Sequence, residues 1–342
     1  MGDVFGPYRV HEQLGTGGMA VVHRAEQIAD GAVVALKRVL PQYAHETTYL
    51  RRFVDEARIG QRLCHPHIVT THAVGCIDGT HYIAFEYVRG PTLLQILQRS
   101  SRTEPIPIYI ALHIITRVAR ALAYAHGLRE PDGRALQLIH RDIAPSNVIV
   151  SDTGTTKLID FGVAKSTATH VHTGARTMVG RLGYVAPEYL RGQFDARVDL
   201  YSLGVVAYEL LTARPLFTAR NLKTAELLRS YDIEPPSRQN PAVPLDLDDI
   251  VMTALARDPD RRWQNAFAMY KALTTLADDS GLDVPERDVA KWLASVQLVA
   301  ARTESRPSTS EIGIDIENAF ADIVARTRSH PVVIVDEAPR SG

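Results

Sequence analysis

Ile139-His140-Arg141-Asp142-Ile143-Ala144-Pro145-Ser146-Asn147-Val148-Ile149, followed shortly by Lys157-Leu158-Ile159-Asp160-Phe161-Gly162, is the stretch that decides the fold. Its weight depends on what precedes it. Nearest the N-terminus stands Leu14-Gly15-Thr16-Gly17-Gly18-Met19-Ala20-Val21-Val22. Glycines lack Cβ and let backbone N–H groups approach a polyphosphate closely, although an isolated glycine-rich hairpin is more often merely a turn. Next comes Val34-Ala35-Leu36-Lys37, a strand-like run that leaves one ammonium among apolar neighbours, where it must find an anion to stay charged. Phosphates and a carboxylate are the obvious anions. Glu56, on a helix predicted over Tyr49 to Leu63, is the carboxylate to pair with it; spacing alone also allows a solvated glutamate on the helix surface.

The pattern around these motifs divides the chain. From Tyr8 to Tyr87, short β-rich runs (VVALKRV, HYIAFEYV) surround one helical segment, which predicts a small sheet carrying a helix. After Arg89-Gly90-Pro91 the pattern turns helical: Ile108 to His126 and Val198 to Leu211 space their apolar residues by three and four. Arg129 to Arg134, with its Pro-Asp-Gly, reads as a surface insertion that reverses tightly. Helical periodicity persists through Val289, Trp292, Leu293 and Val296. Thr303 to Glu311 then reads as a polar linker, so the folded body is expected to end before residue 302. In the tail, Ile316, Phe320, Ile323 and Val324 share one face of a short helical pattern, although a weakly ordered tail fits the composition better.

Taken in order, the glycine loop, strand lysine, helix glutamate, His140-Arg141-Asp142, Asp160-Phe161-Gly162 and Ala186-Pro187-Glu188 resemble the protein-kinase signature, and the Gly17-Gly18-Met19 variant resembles its bacterial, Hanks-type serine/threonine branch. The resemblance covers residues 8–278. It implies an α+β, bilobal fold, with a β-rich N-lobe over residues 8–87 and a larger helical C-lobe over 91–278. A helical extension over 279–302 and a flexible tail over 303–342 would follow.

The resemblance also implies the site. Asp142 would orient the substrate hydroxyl and accept its proton; Asn147 and Asp160 would hold Mg²⁺. Lys37, held by Glu56, would fix the phosphates of ATP beneath Leu14, Gly15, Thr16, Gly17 and Gly18. Val22, Ala35 and Ile149 would sandwich the adenine, backbone groups from Glu86 to Val88 would bind its edge, and Phe85 would be the gatekeeper. Asp199 would anchor the catalytic loop, and Glu188 would pair with Arg262. Arg141, preceding the catalytic aspartate, implies control by phosphorylation of the loop over 163–185, which offers Ser166, Thr167, Thr169, Thr173 and Thr177; Thr173 and Thr177, nearest the docking end, are the expected sites, modified in trans between copies of the chain, and the alternative is a constitutively ordered loop.

Two departures bear on the substrate. Serine/threonine kinases usually carry Lys two residues after the catalytic aspartate, where this chain has Ala144, and Thr in the docking loop, where it has Arg181. Arg181 is the candidate to supply the missing cation; the other reading is an arginine that faces solvent or pairs with a neighbouring carboxylate. The expected activity is ATP-dependent phosphorylation of protein serine or threonine; the alternative is a pseudokinase-like nucleotide-binding scaffold.

Composition limits the partners. Lys plus Arg (38) and Asp plus Glu (39) nearly cancel, so nothing pulls the chain globally onto nucleic acid. At 342 residues, 45% hydrophobic and 23% charged, the chain reads as ordinary soluble protein. Two cysteines, Cys64 and Cys76, without metal-like spacing, the absence of a signal-peptide pattern and no apolar run of membrane-spanning length lead us to expect a cytoplasmic protein.

Overall fold

The computed structural model describes residues 3–100, 105–161, 182–192, 194–217 and 232–304. The N-lobe is an antiparallel sheet of β1 (Asp3–Phe5), β2 (Tyr8–Thr16), β3 (Ala20–Gln27), β4 (Val33–Val39), β5 (Thr71–Ile77) and β6 (Thr80–Glu86), in the spatial order β1-β2-β3-β4-β6-β5. It thus begins ahead of the expected Tyr8, because Asp3 to Phe5 pair back onto Tyr8 to Val10.

Strand alternation gives the sheet two faces. Val34 and Leu36 of β4 join Tyr8, Val10, Ala25 and Ala84 in one cluster. Val39 lies in the other, with Ala20, Ile83 and residues of helix α1 (Thr47–Gly60). Lys37 is two residues from Val39 and therefore shares the face that α1 covers. Phe53 and Ala57, one helical turn apart, are the α1 residues buried against that face, and Leu50 packs beside them. The helix ends at Gly60 rather than at the expected Leu63. Residues 61–63 turn instead, and Leu63 is buried with Ile68 in the C-lobe core.

The C-lobe contains α2 (Leu93–Ser100), α3 (Ile108–His126), the hairpin β7 (Val148–Val150) and β8 (Thr156–Leu158), α4 (Arg197–Thr212), a single turn α5 (Pro236–Gln239), α6 (Leu245–Ala254), α7 (Ala266–Asp279) and α8 (Glu286–Glu304). The bounds of α3 match the apolar spacing in the sequence. Among the described residues α3 is the one helix long and apolar enough to cross a membrane, but two-thirds of its most apolar stretch is buried within the domain, as a core helix requires. From Val198 to Leu211 every residue of α4 is buried, so α4 is the axis of the lobe, and its polar residues Asp199, Ser202 and Glu209 must find partners inside it. Residues 129–134 make the expected reversal, closed by the Glu130 and Gly133 amides. Regular structure runs on to Glu304, past the expected limit of 302. The apolar face over 316–324 lies outside the described residues.

Candidate active site

Between the lobes, Lys37 Nζ donates to Glu56 Oε1 at 2.5 Å and to Asp160 Oδ1 at 3.3 Å. Burial works against the ammonium, but the two carboxylates outweigh it and hold the Lys37 pKa above its ordinary value. The strand supplies the lysine and the helix Glu56. Asp160 comes from the segment after β8 and takes a left-handed backbone, φ +52°. A non-glycine residue there carries strain of about 1–3 kcal/mol, which the surroundings must hold in place. They do so on both sides: Ile159 N donates to Asn147 O at 2.9 Å, and the buried Phe161 ring packs on His140 with centroids 4.5 Å apart.

The loop that begins at His140 hangs from one buried carboxylate. Asp199 Oδ2 accepts from His140 N at 2.7 Å and from His126 Nε2 at 2.9 Å, and Oδ1 accepts from Arg141 N at 2.8 Å. Burial alone would push the Asp199 pKa up; the His126 contact and the charges and amides around it bring it below its usual value, so the group stays ionised. Two amides fixed on one carboxylate stabilise the left-handed Arg141, φ +63°. His126 was not singled out in the sequence. The only signal was a histidine in the last turn of α3.

His140 ties the loop to the residue after β8 as well: Nε2 donates to Ile159 O at 3.2 Å, leaving Nδ1 to accept from Asp142 N at 3.2 Å. Asn147 Nδ2 donates to Asp142 O at 2.8 Å and to Asp142 Oδ2 at 2.7 Å. Asp142, Asn147, Asp160, Lys37 and Glu56 are thereby brought into one linked site.

Above them, Gly17 N donates to Ala20 O at 2.8 Å to close the β2–β3 turn. A Cβ added at Gly15 or Gly18 would meet no atom within 4 Å, and neither residue has positive φ. Packing and backbone conformation therefore do not call for glycine at these positions, and the space that a side chain would take there is open. Val22 and Ala35 lie on adjacent strands, in register with Lys37 and Arg24 respectively. Ile149 is on β7, and Phe85 packs on the α1-side cluster.

Glu86 is more committed than its sequence suggested. Its N–H is occupied by Thr70 O at 2.8 Å, and its carboxylate takes Lys157 Nζ at 2.7 Å and Thr70 N at 3.2 Å. The Glu86 amide is thus already engaged within the sheet, and Val88 lies beyond the end of β6.

Below the loop, Arg262 is 3% exposed and makes a bidentate pair with Glu188, at 2.6 and 2.7 Å. Glu209, buried in the apolar α4, accepts from Tyr184 Oη at 2.7 Å and from Leu216 N at 3.3 Å. Burial outweighs both and pushes its carboxyl up to about 7. A small cavity lined by Arg141, Asp142, Ala144, Tyr184, Tyr189 and Ser202 lies between this platform and the loop. Ala144 is buried there, 3% exposed. Gly162, Thr173, Thr177 and Arg181 lie outside the described residues.

A family model described as a protein kinase domain matches residues 8–273. Among curated proteins, the tyrosine-protein kinase MasK of Myxococcus xanthus is 34% identical over 281 residues, covering 80% of this chain and 44% of that protein. The serine/threonine-protein kinase PrkC of Bacillus subtilis is 34% identical over 283 residues, covering 82% and 42%. This chain therefore spans less than half the length of either relative. The solved kinase domain of Mycobacterium tuberculosis PknI, as its C20A mutant, superposes with a TM-score of 0.60 at 30% identity, covering 81% of this chain and 98% of that one.

Proposed function

The chain belongs to the protein kinase family, on its bacterial Hanks-type branch, and from that premise we propose that it transfers the γ-phosphoryl group of ATP to serine or threonine hydroxyls of proteins. The observation that carries this reading is the Lys37–Glu56–Asp160 cluster, formed and joined to the Asn147–Asp142 contact. A scaffold that only bound nucleotide would use Lys37 and Asp160 but would have no use for Asp142.

In this reading the substrate hydroxyl attacks the γ-phosphorus, its bond to the β,γ-bridging oxygen breaks, and ADP leaves. Asp142 orients the hydroxyl and takes its proton. Lys37 neutralises phosphate charge in a site already partly dry, and Glu56 keeps it there. Asn147 and Asp160 offer the hard oxygen donors that suit Mg²⁺, which when bound supplies further charge neutralisation at the phosphates. Leu14 to Gly18 cover the phosphates, and Val22, Ala35, Ile149 and the backbone near Val88 hold the adenine.

Arg141 lies next to Asp142 and would receive a phosphate carried on Thr173 or Thr177, placed there by a second copy of the chain. Two free, exposed cysteines suit a reducing cytoplasm. Serine or threonine is favoured as acceptor by the relatives named for it, whereas MasK is named for tyrosine and Ala144 departs from the serine/threonine pattern. The test is incubation of the purified chain with Mg²⁺, γ-labelled ATP and a generic protein substrate, followed by phosphoamino-acid analysis. Label on serine or threonine is expected. Label confined to tyrosine would overturn the substrate class, and no transfer at all would overturn the activity.

A further inference from the structure

Helix α8 lies wholly beyond residue 273, where the family match ends, yet it is built into the catalytic lobe. Val289 is 0% and Leu293 1% exposed in the C-lobe core, with Trp292 packed beside them. At this spacing one face of the helix is fully committed to the domain.

Its first turn rests on the β7–β8 turn. Thr155 Oγ1 donates to Glu286 Oε2 at 2.7 Å. A Cβ on Gly154, whose φ is +90°, would lie 1.8 Å from Glu286 O and 3.0 Å from Ala290 N. Both the backbone angle and the contact demand glycine there.

The same turn grips the chain where it leaves the interlobe hinge. Asp152 N donates to Arg89 O at 2.8 Å, Arg89 Nε pairs with Asp152 at 3.0 Å, and Val150 N donates to Pro91 O at 3.0 Å. The strands that the turn joins carry Ile149 and Lys157, and Lys157 holds the hinge residue Glu86. Asn147 and Asp160 stand at the two outer ends of the hairpin, tied across it by the Ile159–Asn147 bond. A short, bonded route therefore joins α8 to both the adenine side and the phosphate side of the cleft.

We propose that α8 is a positioning element of the nucleotide site, with Gly154, Thr155 and Glu286 as positioning residues: docking of α8 on the β7–β8 turn sets the affinity for ATP. This rests on the kinase reading. A shift of the turn by even a fraction of an ångström reaches the hinge and the Asn147–Asp160 pair through bonded contacts and not through solvent, which makes the cost fall on nucleotide binding before it falls on protein-substrate binding.

The experiment uses the full chain and the variants Gly154→Val, Thr155→Val, Thr155→Ser and Glu286→Gln. Binding of a fluorescent ATP analogue is titrated directly, KM for ATP and for a protein substrate are measured separately, and hydrogen exchange is followed over 86–91 and 286–296. Gly154→Val should weaken nucleotide binding and raise KM for ATP at least fivefold. It should also speed exchange in both windows, while KM for the protein substrate changes less than twofold. Thr155→Val and Glu286→Gln should give two- to threefold effects in the same direction, and Thr155→Ser, which keeps the hydroxyl, should restore wild-type binding. A merely structural role would lower the melting temperature without this split between the two KM values. Freed exchange over 286–296 with unchanged nucleotide affinity would overturn the proposal, as would unchanged affinity in both milder variants should Gly154→Val fail to fold. Wild-type protein that binds no nucleotide would instead overturn the kinase reading beneath it.

Discussion

Glu209→Gln should stabilise the protein at alkaline pH and do little of the kind at acid pH. Glu209 is 5% exposed in the middle of α4, and its carboxyl is pushed up to about 7 from an ordinary value of 4.5. Burial is the dominant cause; the Tyr184 hydroxyl and the Leu216 amide, which favour the charged form, offset only part of it. Because the folded value lies above the unfolded one, the native state holds a proton that the unfolded state has released between these two values. The stabilisation is complete below 4.5 and is lost as pH rises through about 7. The full shift is worth roughly 3 kcal/mol at about 1.4 kcal/mol per unit, and the part lost between about pH 5 and about pH 8 is roughly 2.5 kcal/mol. Glutamine keeps an oxygen for Tyr184 and Leu216 but cannot ionise. Thermal unfolding of both proteins at these two pH values, followed by circular dichroism, gives a difference of differences in which the shared titrating groups cancel. The advantage of Glu209→Gln should grow by roughly 5 °C between the acid and alkaline measurements, at about 2 °C per kcal/mol for a domain of this size. An advantage that stays constant with pH would refute the reasoning and place the ionised carboxylate in a wetter, better-compensated setting.

Lys37→Met or Asp160→Asn should cut phosphoryl transfer below a tenth of wild-type while leaving the circular-dichroism melting curve cooperative, since each removes charge at the phosphates or the metal. Glu188→Gln should cost about 3–5 kcal/mol in urea unfolding, because Arg262 is left charged and 3% exposed without its counter-ion; a loss below about 1 kcal/mol would mean that the backbone acceptors of Arg262 suffice. Mass spectrometry of ATP-treated protein should find phosphate on Thr173 or Thr177, and its absence from both would count against ordering through Arg141. Arg181→Ala should lower kcat at least about tenfold, roughly 1.4 kcal/mol of transition-state stabilisation. Ala144→Lys with Arg181→Thr should restore activity that Ala144→Lys alone does not, and an unchanged kcat in Arg181→Ala would end that idea.

Several elements could be read from the chain because their cause is local. The three-and-four spacing of apolar residues over Ile108 to His126 is enough to specify α3, and a run like Val33 to Val39, rich in β-branched residues, is enough for β4. The order of chemistry-bearing residues, from Gly15 through Lys37, Glu56, Asp142, Asn147 and Asp160, is likewise a property of the chain alone. That order pointed to the kinase family before any distance was known.

What the sequence left open depends on packing between segments far apart. Glu56 as a partner of Lys37 was one reading beside that of a solvated residue; the α1 face against β4 decided it. The end of α1 at Gly60 was set by Leu63 being drawn into the C-lobe core. His126, the Glu86–Lys157 pair and the docking of α8 on Gly154 join residues 73, 71 and over 130 positions apart, and nothing in their local sequence announces the contact. The raised pKa of Glu209 is the plainest case. The glutamate was visible in the sequence, but its charge depends on how much water the folded lobe removes from around it and on which donors the fold brings within reach, and both are decided by tertiary structure.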